Sequence, residues 1–65
     1  MKKNNSFEKD LVIYQKAKRI IDSIKTPAQR RIADIWFSRA YNTVNDYVIK
    51  VEIDLMQTSM WRLLL

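Results

Sequence analysis

The sequence predicts an all-α protein, a helical hairpin or small helical bundle with a long second helix and a short C-terminal helix. Three observations lead there. Apolar residues recur at steps of three and four along most of the 65 residues. The chain has no Gly and a single Pro, Pro27, so strong helix-breaking punctuation falls at one place. Hydrophobic residues make up 48% of it, enough for a packed core and too many for a disordered chain.

Residues 1–5 read as a disordered, solvated N-terminus, and residues 6–65 as a single small helical domain. Asn5 or Ser6 can cap a first helix, and Asn5 with Glu8 has capping-box spacing. Phe7, Leu11, Tyr14, Ala17, Ile21 and Ile24 then mark one face of a helix over about 6–24. Val12, Ile13 and Ile20 widen that face.

Thr26-Pro27-Ala28-Gln29 separates the first helix from the second. The Thr26 hydroxyl can accept an orphan N–H of the first turn, and Pro27 at the first helical position loses no hydrogen bond. Gln29 completes a capping box, and Pro27 disfavours a helical Thr26.

Beyond Pro27, the set Ile32, Trp36, Ala40, Val44, Tyr47, Val51 and Leu55 is consistent with one helix of nearly 30 residues. Asn42, Thr43 and Asn45 are weak helix formers that offer a break, and Thr43 with Asp46 has capping-box spacing. Tyr47 to Ile53 is rich in β-favouring types, but a lone strand leaves its edges unpaired, so the helix is preferred. Gln57-Thr58-Ser59 reads as a stop and a new cap. Met60 to Leu65 is then a short last turn returning Trp61, Leu63 and Leu64 to the core.

Composition narrows the chemistry. With no Cys there are no disulfides or thiolate metal sites, and with no His the commonest general base and zinc ligand are missing. With no Gly there is no phosphate-cradling loop. No cofactor, metal or small-molecule substrate is expected. Asp46, Lys50 and Asp54 at i, i+4 and i+8 read as a surface ion-pair ladder, and no nucleophile–base set is present, so no catalytic residue is assigned and the chain is read as a non-enzyme. No apolar run reaches the length of a signal sequence core or a membrane span, which points to a cytoplasmic protein without a membrane partner.

Charge is the first functional signal. Twelve Lys+Arg against seven Asp+Glu give +5. Residues 1–31 hold nine bases and three acids, a balance of +6, and residues 32–65 hold three and four, a balance of −1. Lys16, Lys18, Arg19, Lys25, Arg30 and Arg31 form the dense part and are the candidate site for DNA or an acidic partner. The bland alternative is a solvated face that keeps the protein soluble.

Aromatics are the second signal. Trp36 fits the apolar stripe of the second helix, Phe37 falls nearer its edge, and Tyr41 follows four residues later. With Trp61 these are either packing groups or anchors for a protein partner. Base stacking is a third use, though it favours sheets or grooves that this sequence does not suggest.

Trp36-Phe37-Ser38-Arg39-Ala40 resembles the aromatic-aromatic-Ser-x-Ala stretch of the Hha/YmoA family, small nucleoid-associated proteins that modulate haemolysin expression. Without a gap, Asp54 falls on a family Asp, and Thr58-Ser59-Met60-Trp61-Arg62 is similar to the family's Ser-Ser-Val-Trp-Lys. Ile21-Asp22-Ser23-Ile24 is similar to a family Ile-Asp-Thr-Leu with about seven residues missing between the blocks. The resemblance implies an all-α protein that docks on an H-NS-like nucleoid protein and adds positive charge to the complex. The family's Asp-His-Arg columns hold Tyr41, Asn42 and Thr43 here, so its partner chemistry does not carry over residue by residue.

Three roles follow as expectations. The first is a small basic regulatory module that docks on a partner protein and brings charge towards DNA. The second is a direct, dimeric DNA-binding protein. The third is a self-associating assembly or inhibitor protein of phage or plasmid type. At this length one core contributes about 3–5 kcal/mol, so a bound partner or self-association is a natural source of further stability.

Overall fold

The computed structural model describes the backbone of residues 5–65 and the side chains of residues 7–65. Three helices follow one another: α1 (Asn5–Ser23), α2 (Pro27–Thr43) and α3 (Tyr47–Met60). They run up, down and up, with α3 packed on both α1 and α2 and the α1–α2 seam less extensive. The all-α bundle is as expected. The proposed N-terminal disorder lies outside the described residues except at Asn5, which is already helical. The proposed Asn5 or Ser6 cap rests on side chains that also lie outside them.

The turn between α1 and α2 forms as its residues dictate. Thr26 is extended (φ −132°, ψ 158°), and its Oγ1 accepts the Gln29 N–H at 3.2 Å. Gln29 Oε1 in turn accepts the Thr26 N–H at 3.2 Å and the Lys25 N–H at 2.6 Å. Three donors that helix formation would orphan are therefore satisfied within five residues.

The long second helix does not form. The chain leaves α2 at Thr43, and Val44 to Asp46 make a corner before α3 starts. Thr43 does not cap α3; its Oγ1 donates to the Arg39 carbonyl at 2.8 Å. Asp46 is the cap, extended at φ −72° and ψ 125°, and its carboxylate accepts the Ile49 N–H at 3.1 Å. The corner also has a partner from α1. The Asp10 carboxylate, 3% exposed, accepts the Asn45 N–H at 3.0 Å and the Asp46 N–H at 2.8 Å. A buried carboxylate receiving two backbone donors makes strong, charge-assisted hydrogen bonds.

The short C-terminal helix is also absent. Gln57, Thr58 and Ser59 continue α3 to Met60. The chain then unwinds through three-residue turns, Trp61 N–H to Thr58, Arg62 N–H to Ser59 and Leu63 N–H to Met60. Leu63 and Leu64 do not return to the core, and Leu64 is almost wholly exposed.

The core comprises Ala17 and Ile24 of α1 and its end, Ala33, Phe37 and Ala40 of α2, Val44 of the corner, and Ile49, Ile53 and Met60 of α3. Three of the nine are alanines, which lets the helices approach closely but buries little apolar area. In α2 the buried face is Ala33, Phe37, Ala40 and Val44, not the stripe through Ile32 and Trp36. Steps of four overshoot the 3.6-residue turn by about 40° each, so three in a row drift about 120° around a helix. Steps of four, three and four hold one face. Ile32, Tyr47 and Leu55, expected inside, consequently face solvent, Val51 is partly exposed, and Phe7 is half exposed.

Candidate functional site

The six candidate cations do not form one cluster. In α1, Lys16 and Lys18 are two residues apart, about 200° around the helix, and so project to opposite flanks. Lys16 lies 6.0 Å from the ring centre of Trp36 on α2. Lys18 lies 5.4 Å from that of Tyr14, on the flank where α1 meets α3. Arg19 is exposed between them, away from the core. Lys25 and Arg31 are exposed at the α1–α2 corner. The result is a mainly cationic band over the outer side of α1, with Glu8 and Asp22 exposed within it, continuing onto the corner.

Arg30 is not part of the band. Its guanidinium stacks 4.6 Å from the ring centre of Trp61, and Nη1 donates to the Leu63 carbonyl at 3.0 Å. Nε is buried without a hydrogen-bond partner, a cost accepted for the stacked geometry. Arg30 and Trp61 therefore fasten the end of α3 to the start of α2. The indole Nε1 of Trp61 donates to Asp34 Oδ1 at 3.0 Å, and Gln57 Nε2 donates to the same oxygen at 2.7 Å. These donors, Trp61 first and Gln57 second, hold the Asp34 carboxyl below its ordinary 3.8, against a smaller upward push from burial.

The aromatics divide in the same way. Phe37, expected near the edge of the stripe, is wholly buried and packs edge-on to Trp36 with ring centres 5.3 Å apart. Trp36 is the half-buried one, lining a shallow apolar groove between α1 and α2 with Ile20, Ile24 and Ile32. Farther along the same seam it meets Ile13 and Arg39. Tyr41 is partly exposed under Lys50, whose Nζ lies 4.4 Å from its ring centre and donates to the Tyr41 carbonyl at 2.5 Å. Asp46 and Lys50 are thus committed elsewhere, and the expected ladder of Asp46, Lys50 and Asp54 is not built.

Two structural carboxylates escaped the sequence reading. Asp10 carried a signal: a carboxylate seven residues before Ala17 and fourteen before Ile24, on the buried side of α1. Asp34 carried none, because its partners arrive from α3. Among the described residues no three His, Cys, Asp or Glu gather as metal ligands, and no helix is long and apolar enough to cross a membrane. In comparisons with family models, curated proteins and solved structures, nothing matches this chain.

Proposed function

We propose that this protein is a small basic binding module that docks on a partner protein and carries positive charge towards DNA. The observation that supports it is the division of labour among its charges. Lys16, Lys18, Arg19, Lys25 and Arg31 are exposed over α1 and the corner. Three of the acids are turned inward, Asp10 and Asp46 to backbone N–H groups and Asp34 to Trp61 and Gln57. The exposed charge over α1 and the corner is therefore mainly cationic, with Glu8 and Asp22 the exposed acids among it. The H-NS-like identity of the partner is what the sequence resemblance implies; the groove lined by the partly buried Trp36 and edged by Lys16 and Arg39 is a suitable contact for it.

The test is a titration of random duplex DNA over a salt series, followed by DNA anisotropy. Weak binding at low salt is expected, with log K falling by about 0.9 per contacted phosphate for each unit of log salt. Replacing Lys16, Lys18, Arg19 and Arg31 by Gln should weaken it by about tenfold or more and flatten the slope. Binding that ignores those substitutions, or none at all at low salt, overturns the DNA-directed part of the reading.

A further inference from the structure

Helices α1 and α2 leave an open apolar groove between them that no residue of α3 lines. Its walls are Ile20 and Ile24 on one side and Ile32 and Trp36 on the other, around about 260 Å³. A cavity of roughly 150 Å³ already admits a benzene ring. Ile32 is 70% exposed there. Past Trp36 the groove continues between Ile13 and Arg39 to Thr43.

The charges around this groove have one sign. Lys16 lies 6.0 Å from the Trp36 ring centre at the α1 edge, and Arg39 lines the α2 edge. Lys9, exposed and seven residues before Lys16, falls on the same flank of α1. Among the described residues no acid lines the groove. Asp22 is about 200° around α1 from Ile20, and Glu8 about 140° from Ile13. Asp34 is about 200° around α2 from Trp36 and accepts from Gln57 and Trp61 of α3.

We propose that the groove takes an acidic amphipathic helix of a partner protein, its apolar side chains against Ile20, Ile32 and Trp36 and its carboxylates on Lys16 and Arg39. This rests on the reading of the protein as a partner-docking module and adds the partner's chemistry. A helix laid in an apolar groove anchors itself by residues at i, i+3, i+4 and i+7. Cations at both edges then select carboxylates beside those anchors and repel a basic segment. Duplex DNA offers phosphates to the edges but nothing to cover the exposed Ile32.

The probe is a fluorescein-labelled peptide helix of about four turns, with Leu on one face and Glu on the rest. It is titrated with the whole protein at low salt and read by anisotropy. It should bind about tenfold or more tighter than a counterpart with Lys for every Glu, and than one of equal composition with its Leu scattered around the helix. Arg39→Glu should weaken binding about tenfold and Ile32→Gln about fivefold, each with an unchanged circular dichroism spectrum. Equal affinity for the acidic peptide and either counterpart, or indifference to both substitutions, overturns the proposal. So does a dimer of the chain alone, seen by light scattering, that Ile32→Gln dissolves, because a second copy then fills the groove. The DNA titration stands or falls separately. Peptide binding without DNA binding keeps the groove and removes the DNA-directed reading; DNA binding without peptide binding removes the groove alone.

Discussion

Two carboxylates show how far a single residue reaches. Asp10, itself buried, satisfies two backbone N–H groups of a part-buried corner. Removing an acceptor from a buried donor costs about 1–3 kcal/mol, and two are at stake. Asp10→Ala should therefore lower stability by about 1–3 kcal/mol, and Asp10→Asn, whose single amide oxygen can accept both N–H groups but without the charge, by less than half as much. Urea denaturation followed by circular dichroism measures both. Asp34 sets a pH dependence. Its folded pKa lies below 3.8, so its stabilisation is fully present above 3.8 and is lost as pH falls through the lower, folded value. Acid titration of Trp61 fluorescence should report loosening of the α2–α3 end in that window, and Asp34→Asn should remove the acid-sensitive step. Asp34 was invisible beforehand because both its side-chain donors lie more than twenty residues away along the chain.

Elements differ in how locally they are specified. The α1–α2 turn was legible to the residue, since Thr26, Pro27 and Gln29 are both the signal and the structure. Thr26→Ala should cost about 1 kcal/mol in thermal or urea unfolding, the usual worth of an N-cap. The α2–α3 corner was legible only as weak helix formers at Asn42, Thr43 and Asn45, because what fixes it includes a side chain from α1. Asp46→Ala should cost a similar amount, about 1 kcal/mol, through loss of the bond to the Ile49 N–H. The faces of α2 and α3 were misread for a related reason. A stripe drawn through one long helix carries its phase across the corner, whereas the actual chain restarts the phase at Tyr47. Within α2 the drift of successive steps of four already makes Phe37 rather than Trp36 the inward aromatic, and past the corner Tyr47 and Leu55 turn outward while Val51 sits at the margin.

For the whole molecule, class was readable and arrangement was not. Composition and periodicity sufficed for an all-α domain, but the order of helices around the core depends on contacts such as Asp10 to Asn45 and Arg30 to Leu63. The same distant contacts decide the candidate site. Five of the six cations are exposed, but Arg30 is withdrawn by Trp61, a residue 31 positions later. An Ala-rich core in a domain of this size leaves stability modest, so association should register in it.

The corner at Val44–Asp46 contains neither Gly nor Pro, and none of the residues described has a positive φ. Nothing in its backbone forbids an uninterrupted helix there. The bend is maintained from outside by a carboxylate that belongs to a different helix, and from within by the Asp46 cap, the buried Val44 side chain and the Lys50 amine on the Tyr41 carbonyl. An uninterrupted helix over residues 27–60 would be a straight rod of about 50 Å. In such a rod the α2 and α3 halves of the core seam would be parted, and each would need the missing half from another molecule. If the corner opened in that way, exchange of helices between chains would restore the parted core. The substitution that promotes it is the loss of Asp10, not a change in the hinge itself.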